Sequence, residues 1–183
     1  MENDLKLNIS IDIFAIDMDL LNKEDGIDFN DQSCKKKIRK FKISRNVYED
    51  VKFESDDINY ELQTIASIYA YYSSKNCECR YCLANLKDHI DYVRAIARTE
   101  AQKFLFRDPD VPNTKITDRM IDAVVDQYDL INDLKELYSK LDYVNNKIWG
   151  VMKSLEIKSN AIMEMARNFR VEAQKTGVNF SKA

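Results

Sequence analysis

The sequence predicts a mainly α-helical protein with a small N-terminal β element, and three observations carry that reading. Glycine and proline are scarce, three and two in 183 residues, which disfavours a loop-built fold. Apolar residues alternate with a period of two near the start of the chain and change to a period near 3.6 around Asp57. The third observation is a seam. Stepping by four and three from Leu130 gives Leu134, Leu137, Leu141, Val144, Ile148, Val151, Leu155, Lys158, Ile162, Met165 and Phe169, with Lys158 its one polar member. The architecture expected is a helical hairpin followed by a long heptad-bearing helix. It divides into a small β and basic segment, 1–54, a helical core, 55–175, and a frayed tail, 176–183.

Leu5, Leu7, Ile9, Ile11 and Ile13 alternate with polar residues and predict a half-buried strand. Residues Asp17 to Asp31 mix acids with Gly26 and Asn30 and read as a turn-rich connection. The basic run from Lys35 to Arg45 follows, interrupted by Ile38, Phe41 and Ile43, and is expected to pair with the first strand. Asp56 or Asp57 caps a helix carrying Leu62, Ile65, Ile68, Tyr69 and Tyr72, which is expected to end near Asn76. The cysteines Cys77, Cys79 and Cys82 then form the turn. A second helix runs from about Tyr81 to Phe106, with Leu83, Leu86, Ile90, Val93, Ala97, Ala101 and Phe104 on one side, and Asp108, Pro109 and Pro112 stop it. Thr117 or Asp118 starts the third and longest helix.

The seam needs a partner along about 60 Å of helix. An upstream helix folding back over it and a second chain packing against it are both compatible with the pattern. Leu134, Leu141, Val144, Ile148, Val151, Leu155 and Ile162 are the residues expected to carry oligomerisation. Gly150 is a candidate bend, and Asn145 and Lys158 are candidates for fixing register.

A formal net charge of -3 advertises no global affinity for nucleic acid, so its distribution matters more. Candidate phosphate contacts lie on two stretches. Arg94, Arg98, Lys103 and Arg107 follow one side of the second helix, and Lys36, Lys37, Arg39 and Lys40 are clustered in the basic run, where Phe41 offers a stacking surface for an unstacked base. The same residues also suit a solvated helix face and a charged edge strand that blocks aggregation. Cys77, Cys79 and Cys82 supply three thiols within six residues, with Cys34 or His89 as fourth ligand for a structural zinc; no cofactor is otherwise required. With one histidine, no phosphate-cradling glycine loop and no nucleophile elbow, the sequence points to binding or assembly and not to an enzyme. No apolar run approaches about 20 residues and no signal peptide opens the chain, so no membrane role is expected.

At the second and third helices the chain resembles the UvsY-like recombination mediators of large tailed phages. Arg98, Thr99, Glu100, Ala101, Gln102 and Lys103 are similar to the family's Arg-x-Glu-Ala-Gln-Lys core motif, and the amphipathic helix with Ile68, Tyr69 and Tyr72 precedes it in the same order. The segment after Arg119, then Tyr143, Gly150 and the stretch Ile162 to Phe169, follow in order too. The resemblance covers roughly Asp57 to Gln174. It implies a ring of six or seven subunits that binds single-stranded DNA in recombination and repair. Such a ring helps load a strand-exchange recombinase onto strands coated by single-strand-binding protein, here in the cytoplasm of the infected bacterial host. Where the family places its basic DNA contacts, this chain has Asp108 and Asp110, so those contacts do not transfer. The cysteine cluster and the first fifty-odd residues have no family counterpart. The rival expectation is a helical scaffold or virion assembly protein. A third is a zinc-bearing regulator that binds a host protein through its N-terminal sheet.

Overall fold

The computed structural model describes residues 6–23, 26–53, 57–109 and 116–176. Leu5, Asp56, Asp110, Pro112 and the tail 177–183 lie outside the described residues. The chain is mainly α-helical. Its elements are β1 (Lys6–Ile16), α1 (Met18–Leu21), β2 (Asn22–Lys23), β3 (Gly26–Ile27), a short 3-10 turn (Gln32–Cys34), β4 (Lys35–Asn46), α2 (Val47–Val51), α3 (Ile58–Arg107), α4 (Asp118–Val125) and α5 (Asp129–Thr176). As the alternating patterns predict, β1 and β4 pair in a two-stranded sheet; β2 and β3 form a second, antiparallel pair.

Two expectations about the helices are corrected. The predicted hairpin is one uninterrupted helix of 50 residues, α3, which runs straight through Cys77, Cys79 and Cys82. The segment contains no Gly or Pro. Tyr72, Cys79, Leu86 and Val93, seven apart, keep the buried stripe in phase, so packing carries the helix across mediocre helix formers. The expected third helix is two: α4 ends at Val125, and α5 begins at Asp129. Both predicted caps are in place, since Asp57 Oδ1 accepts from the backbone N–H groups of Asn59 and Tyr60, and the Thr117 side chain accepts from Met120 N–H. Gly150 produces no break, for α5 continues through it and a Cβ there would meet nothing within 4 Å.

The chain divides into two compact units, each drawing on the N-terminal region as well as on the long helices. One comprises Met1–Ile9, Ile43–Glu78 and Asn145–Ala183. Within it α3 and α5 run antiparallel, because Glu61 meets Lys158 while Asn76 donates to Asn145 at 3.0 Å. Ile65, Ile68 and Tyr72 of α3 are buried, as are Ile148, Val151, Leu155 and Ile162 of α5. Two polar groups lie deep in this unit. The Lys158 ammonium sits 3.0 Å from Glu61 Oε2 with both side chains under 10% exposed, and it donates to the Lys52 carbonyl. The seam's one polar residue is therefore half of a buried ion pair, which fixes register within this unit. Asp50 accepts two bonds from the Arg45 guanidinium, at 2.8 and 2.7 Å, and one from the Tyr72 hydroxyl at 2.9 Å. Burial and that bond to Asp50 hold the Tyr72 phenol far above its ordinary pKa, and the Asp50 carboxylate raises that of Arg45.

The other unit comprises Ser10–Lys42 and Cys79–Val144. Here the turn-rich connection caps α5: the Asp129 N–H donates to Asn30 Oδ1 at 3.0 Å and the Leu130 N–H to the Phe29 carbonyl at 3.1 Å. Phe29 is buried and stacks on Tyr128, with centroids 4.9 Å apart. Val93, Ala97, Ala101, Leu105, Leu130, Leu134 and Leu141 are all buried. Leu105 takes the inward place expected for Phe104, which is 61% exposed.

Taken unit by unit, every apolar seam residue from Leu130 to Ile162 is buried within the single chain, including Leu134, Leu141, Val144, Ile148, Val151, Leu155 and Ile162. Only Met165 and Phe169, beyond them, are exposed, at 39% and 56%.

Candidate nucleic-acid interface

The two basic stretches differ in what surrounds them. On α3, Arg98 Nη1 lies 2.6 Å from Asp122 Oδ1 and Nη2 lies 2.9 Å from Asp118 Oδ1, while Arg94 Nη2 stands 3.3 Å from Asp122 and 3.7 Å from Asp126. These arginines fasten α4 to α3. With Lys135 2.8 Å from Asp126, three cations face three carboxylates, so both guanidinium groups are already neutralised and offer a phosphate no surplus of positive charge. Lys103 pairs with Glu100 at 2.6 Å, and Arg107 lies exposed in the last turn. The helix face carrying Arg94 and Arg98 is thus an internal clamp.

β4 presents most of its cations outward, although Arg45 is held by Asp50 and Lys35 by Asp133. Its run Lys35 to Arg45 holds seven Lys and Arg and no acid. Lys36, Lys37, Arg39, Lys40 and Lys42 are exposed. Lys36 and Lys37 have partners on the preceding segment, Asp17 at 3.7 Å and Asp12 at 2.7 Å, and Lys35 is fixed to Asp133 at 2.6 Å. The Lys37 ammonium holds Asp12 below the usual carboxylate range, and Lys35 does the same to Asp133. An exposed pair such as Lys37 with Asp12 is worth little to stability.

Phe41 does not serve as the stacking surface expected of it. It is fully buried, as is Ile43, because residues two apart share the inward face of the strand. Ile38, out of phase with them, is 64% exposed. Beside it opens a cleft of about 310 Å³ between β1, β4 and α3. Ile13, Phe14 and Leu86 form apolar walls, Ile38 and Arg39 line it from β4, and Tyr81, Asn85 and His89 line it from α3. Tyr81 is 62% exposed, and the Lys35 ammonium lies 5.0 Å from the Phe14 ring centroid. The sequence carried one signal of this cleft: Phe14 breaks the odd-numbered alternation of β1 and so demands cover on that strand's other face. Tyr81 and Asn85 gave none, since only the continuity of α3 sets them beside β4.

His89 is part of that wall. Its Nε2 accepts a hydrogen bond from the Ile16 N–H at 2.9 Å, which requires a neutral ring protonated on Nδ1. Burial pushes its pKa below the ordinary value of 6.5. The unfolded chain takes up this proton more readily than the folded one, so the contribution to stability is complete above about pH 6.5 and is lost as pH falls below it. Between pH 7 and pH 5 the urea midpoint should therefore drop more for the natural chain than for His89→Gln. Equal drops would show that the ring is not held neutral.

The three thiols do not assemble into a cluster. Cys77 and Cys79 are two residues apart on a helix and point to different sides; Cys77 is exposed, while Cys79 and Cys82 are buried. The Cys79 thiol donates to the Leu141 carbonyl at 3.4 Å. Cys34 is buried and its backbone carbonyl accepts from Asp17 N–H. Among the described residues no group of three or more His, Cys, Asp or Glu side chains is placed to hold a metal ion, and no helix is long and apolar enough to cross a membrane. Fold and surface thus describe a mainly helical protein with a basic two-stranded sheet. Comparison of the chain with models of protein families, with curated proteins and with solved structures finds no match in any of the three.

Proposed function

We propose that the protein is a non-catalytic single-stranded-DNA-binding protein that holds the strand's phosphates along β4. Its role would be that of a recombination mediator acting with a recombinase and a single-strand-binding protein, as the resemblance of its central helix implies. The observation that carries the reading is the row of exposed cations on β4, Lys36, Lys37, Arg39, Lys40 and Lys42, in a chain that is otherwise acidic. Phosphate contacts of this kind give affinity with little dependence on sequence and a strong dependence on salt. Assembly into a ring of six or seven would use the part of the seam beyond Ile162, where Met165 and Phe169 are exposed.

Anisotropy of a labelled oligothymidylate across salt tests the reading. Each phosphate contact contributes a slope of roughly 0.7 in log K against log salt for a single strand. Reversing Lys36, Lys40 and Lys42 together should lower that slope by about 2, with the helical signal unchanged. No binding at low salt would reject the reading. Met165 and Phe169 also favour the rival, a scaffold or virion assembly protein, which would self-associate identically but ignore the oligonucleotide.

A further inference from the structure

We propose that the cleft between β1, β4 and α3 seats one unstacked base of the bound strand, so that β4 holds the phosphates while the cleft holds the base between them. The inference rests on the single-strand reading and names a contact that the reading does not require.

The cleft has the dimensions and the lining that such a group needs. At about 310 Å³ it lies at the small end of ligand sites, which run from about 300 to 1,000 Å³, and it suits one planar ring system better than a helix or a folded peptide. Ile13, Phe14 and Leu86 supply the apolar walls that a base face favours. Tyr81 of α3 and Ile38 of β4, 62% and 64% exposed, bring apolar surface from either side to the same cleft. Every base has a π-face, so stacking on Tyr81 tolerates any sequence. The Asn85 amide both donates and accepts, as the edge of a base does.

Charge selects the occupant. Arg39 belongs to the lining, and Lys36, Lys37 and Lys40 are its exposed neighbours on the same strand. A neutral apolar ligand would make no use of them. A nucleotide carries an apolar, hydrogen-bonding ring and an anionic phosphate within one unit, which matches a cleft beside a basic strand. The arrangement also discriminates against duplex, whose bases are stacked and paired and reach such a site only by flipping out.

The test compares two oligonucleotides of equal length and equal phosphate count, an oligothymidylate and a strand of abasic tetrahydrofuran units. Binding of each is followed by anisotropy at low salt. The natural chain should bind the thymidylate about tenfold more tightly, the loss expected for removing a base–aromatic stack. Tyr81→Ala should abolish that preference while keeping the salt slope, because no phosphate contact is lost. Tyr81→Phe should restore it. Tyr81 is exposed, so both variants should keep the helical signal of the natural chain. Equal affinity for the two strands, or a preference that survives Tyr81→Ala, would overturn the base site and leave phosphate binding by β4 standing. Failure of both strands to bind would overturn the single-strand reading and this inference with it.

Discussion

Lys158→Met should destabilise the protein by about 3–5 kcal/mol, although it makes the heptad seam wholly apolar. The substitution leaves Glu61 charged and 5% exposed, its ammonium partner gone. Against a total stability of about 5–15 kcal/mol that is a large fraction. Glu61→Leu alone should cost a similar amount, for it strands Lys158. The double substitution should recover most of the loss, since replacing a buried ion pair by apolar side chains is often neutral or stabilising. Urea denaturation of the four proteins supplies the cycle. Losses that simply add would contradict the buried pair.

Ile148→Asp should unfold the chain outright. Ile148 is fully buried within one chain, so the aspartate forfeits about 1.5–3 kcal/mol of apolar burial and also places a carboxylate in a core with no partner for it. The expected loss exceeds about 4 kcal/mol, seen as a collapse of the helical circular dichroism at 25 °C. Phe169→Asp is the matched control, with a side chain that is 56% exposed. It should keep the helical signal and lower the mass measured by light scattering, if chains associate through the far end of α5. A folded Ile148→Asp protein of reduced mass would instead show that chains share the buried seam.

Much of this fold was legible from periodicity. The alternation of Leu7 to Ile13 and of Phe41 and Ile43 marked the paired strands, and the four-three spacing from Leu130 to Ile162 marked a stripe that is buried along its whole length. The caps at Asp57 and Thr117 followed from residue type alone. What escaped were effects of tertiary origin. Cys77, Cys79 and Cys82 suggested a turn, whereas Cys79 and Cys82 are small core residues within a continuous α3. The break between α4 and α5 contains neither Gly nor Pro; it is made by Asn30 and Phe29 capping α5 from a distant segment.

The candidate interface shows the same division. The density of cations in β4 was plain in the sequence, but whether each faces solvent or an acid was not. Arg94 and Arg98 looked equivalent to the β4 lysines until Asp118, Asp122 and Asp126 of the next helix were seen to hold them. Phe41 shares the buried face of β4 with Ile43, and the surrounding cations of the run gave no sign of which face it takes. Tyr81 and His89 came to the cleft through packing that no local pattern encodes.

The claim that β4 and its neighbouring cleft form the surface for single-stranded DNA is tested most directly by photocrosslinking. A strand carrying 5-iodouracil at successive positions, irradiated with the protein at low salt and digested, reports by mass spectrometry which peptides lie against the bases. The account predicts adducts in the segment that includes Lys36 to Lys42 and in the part of α3 around Tyr81, and none on the face of α4 around Asp118 and Asp122. Adducts confined to α4 or α5, with β4 unmodified, would contradict it.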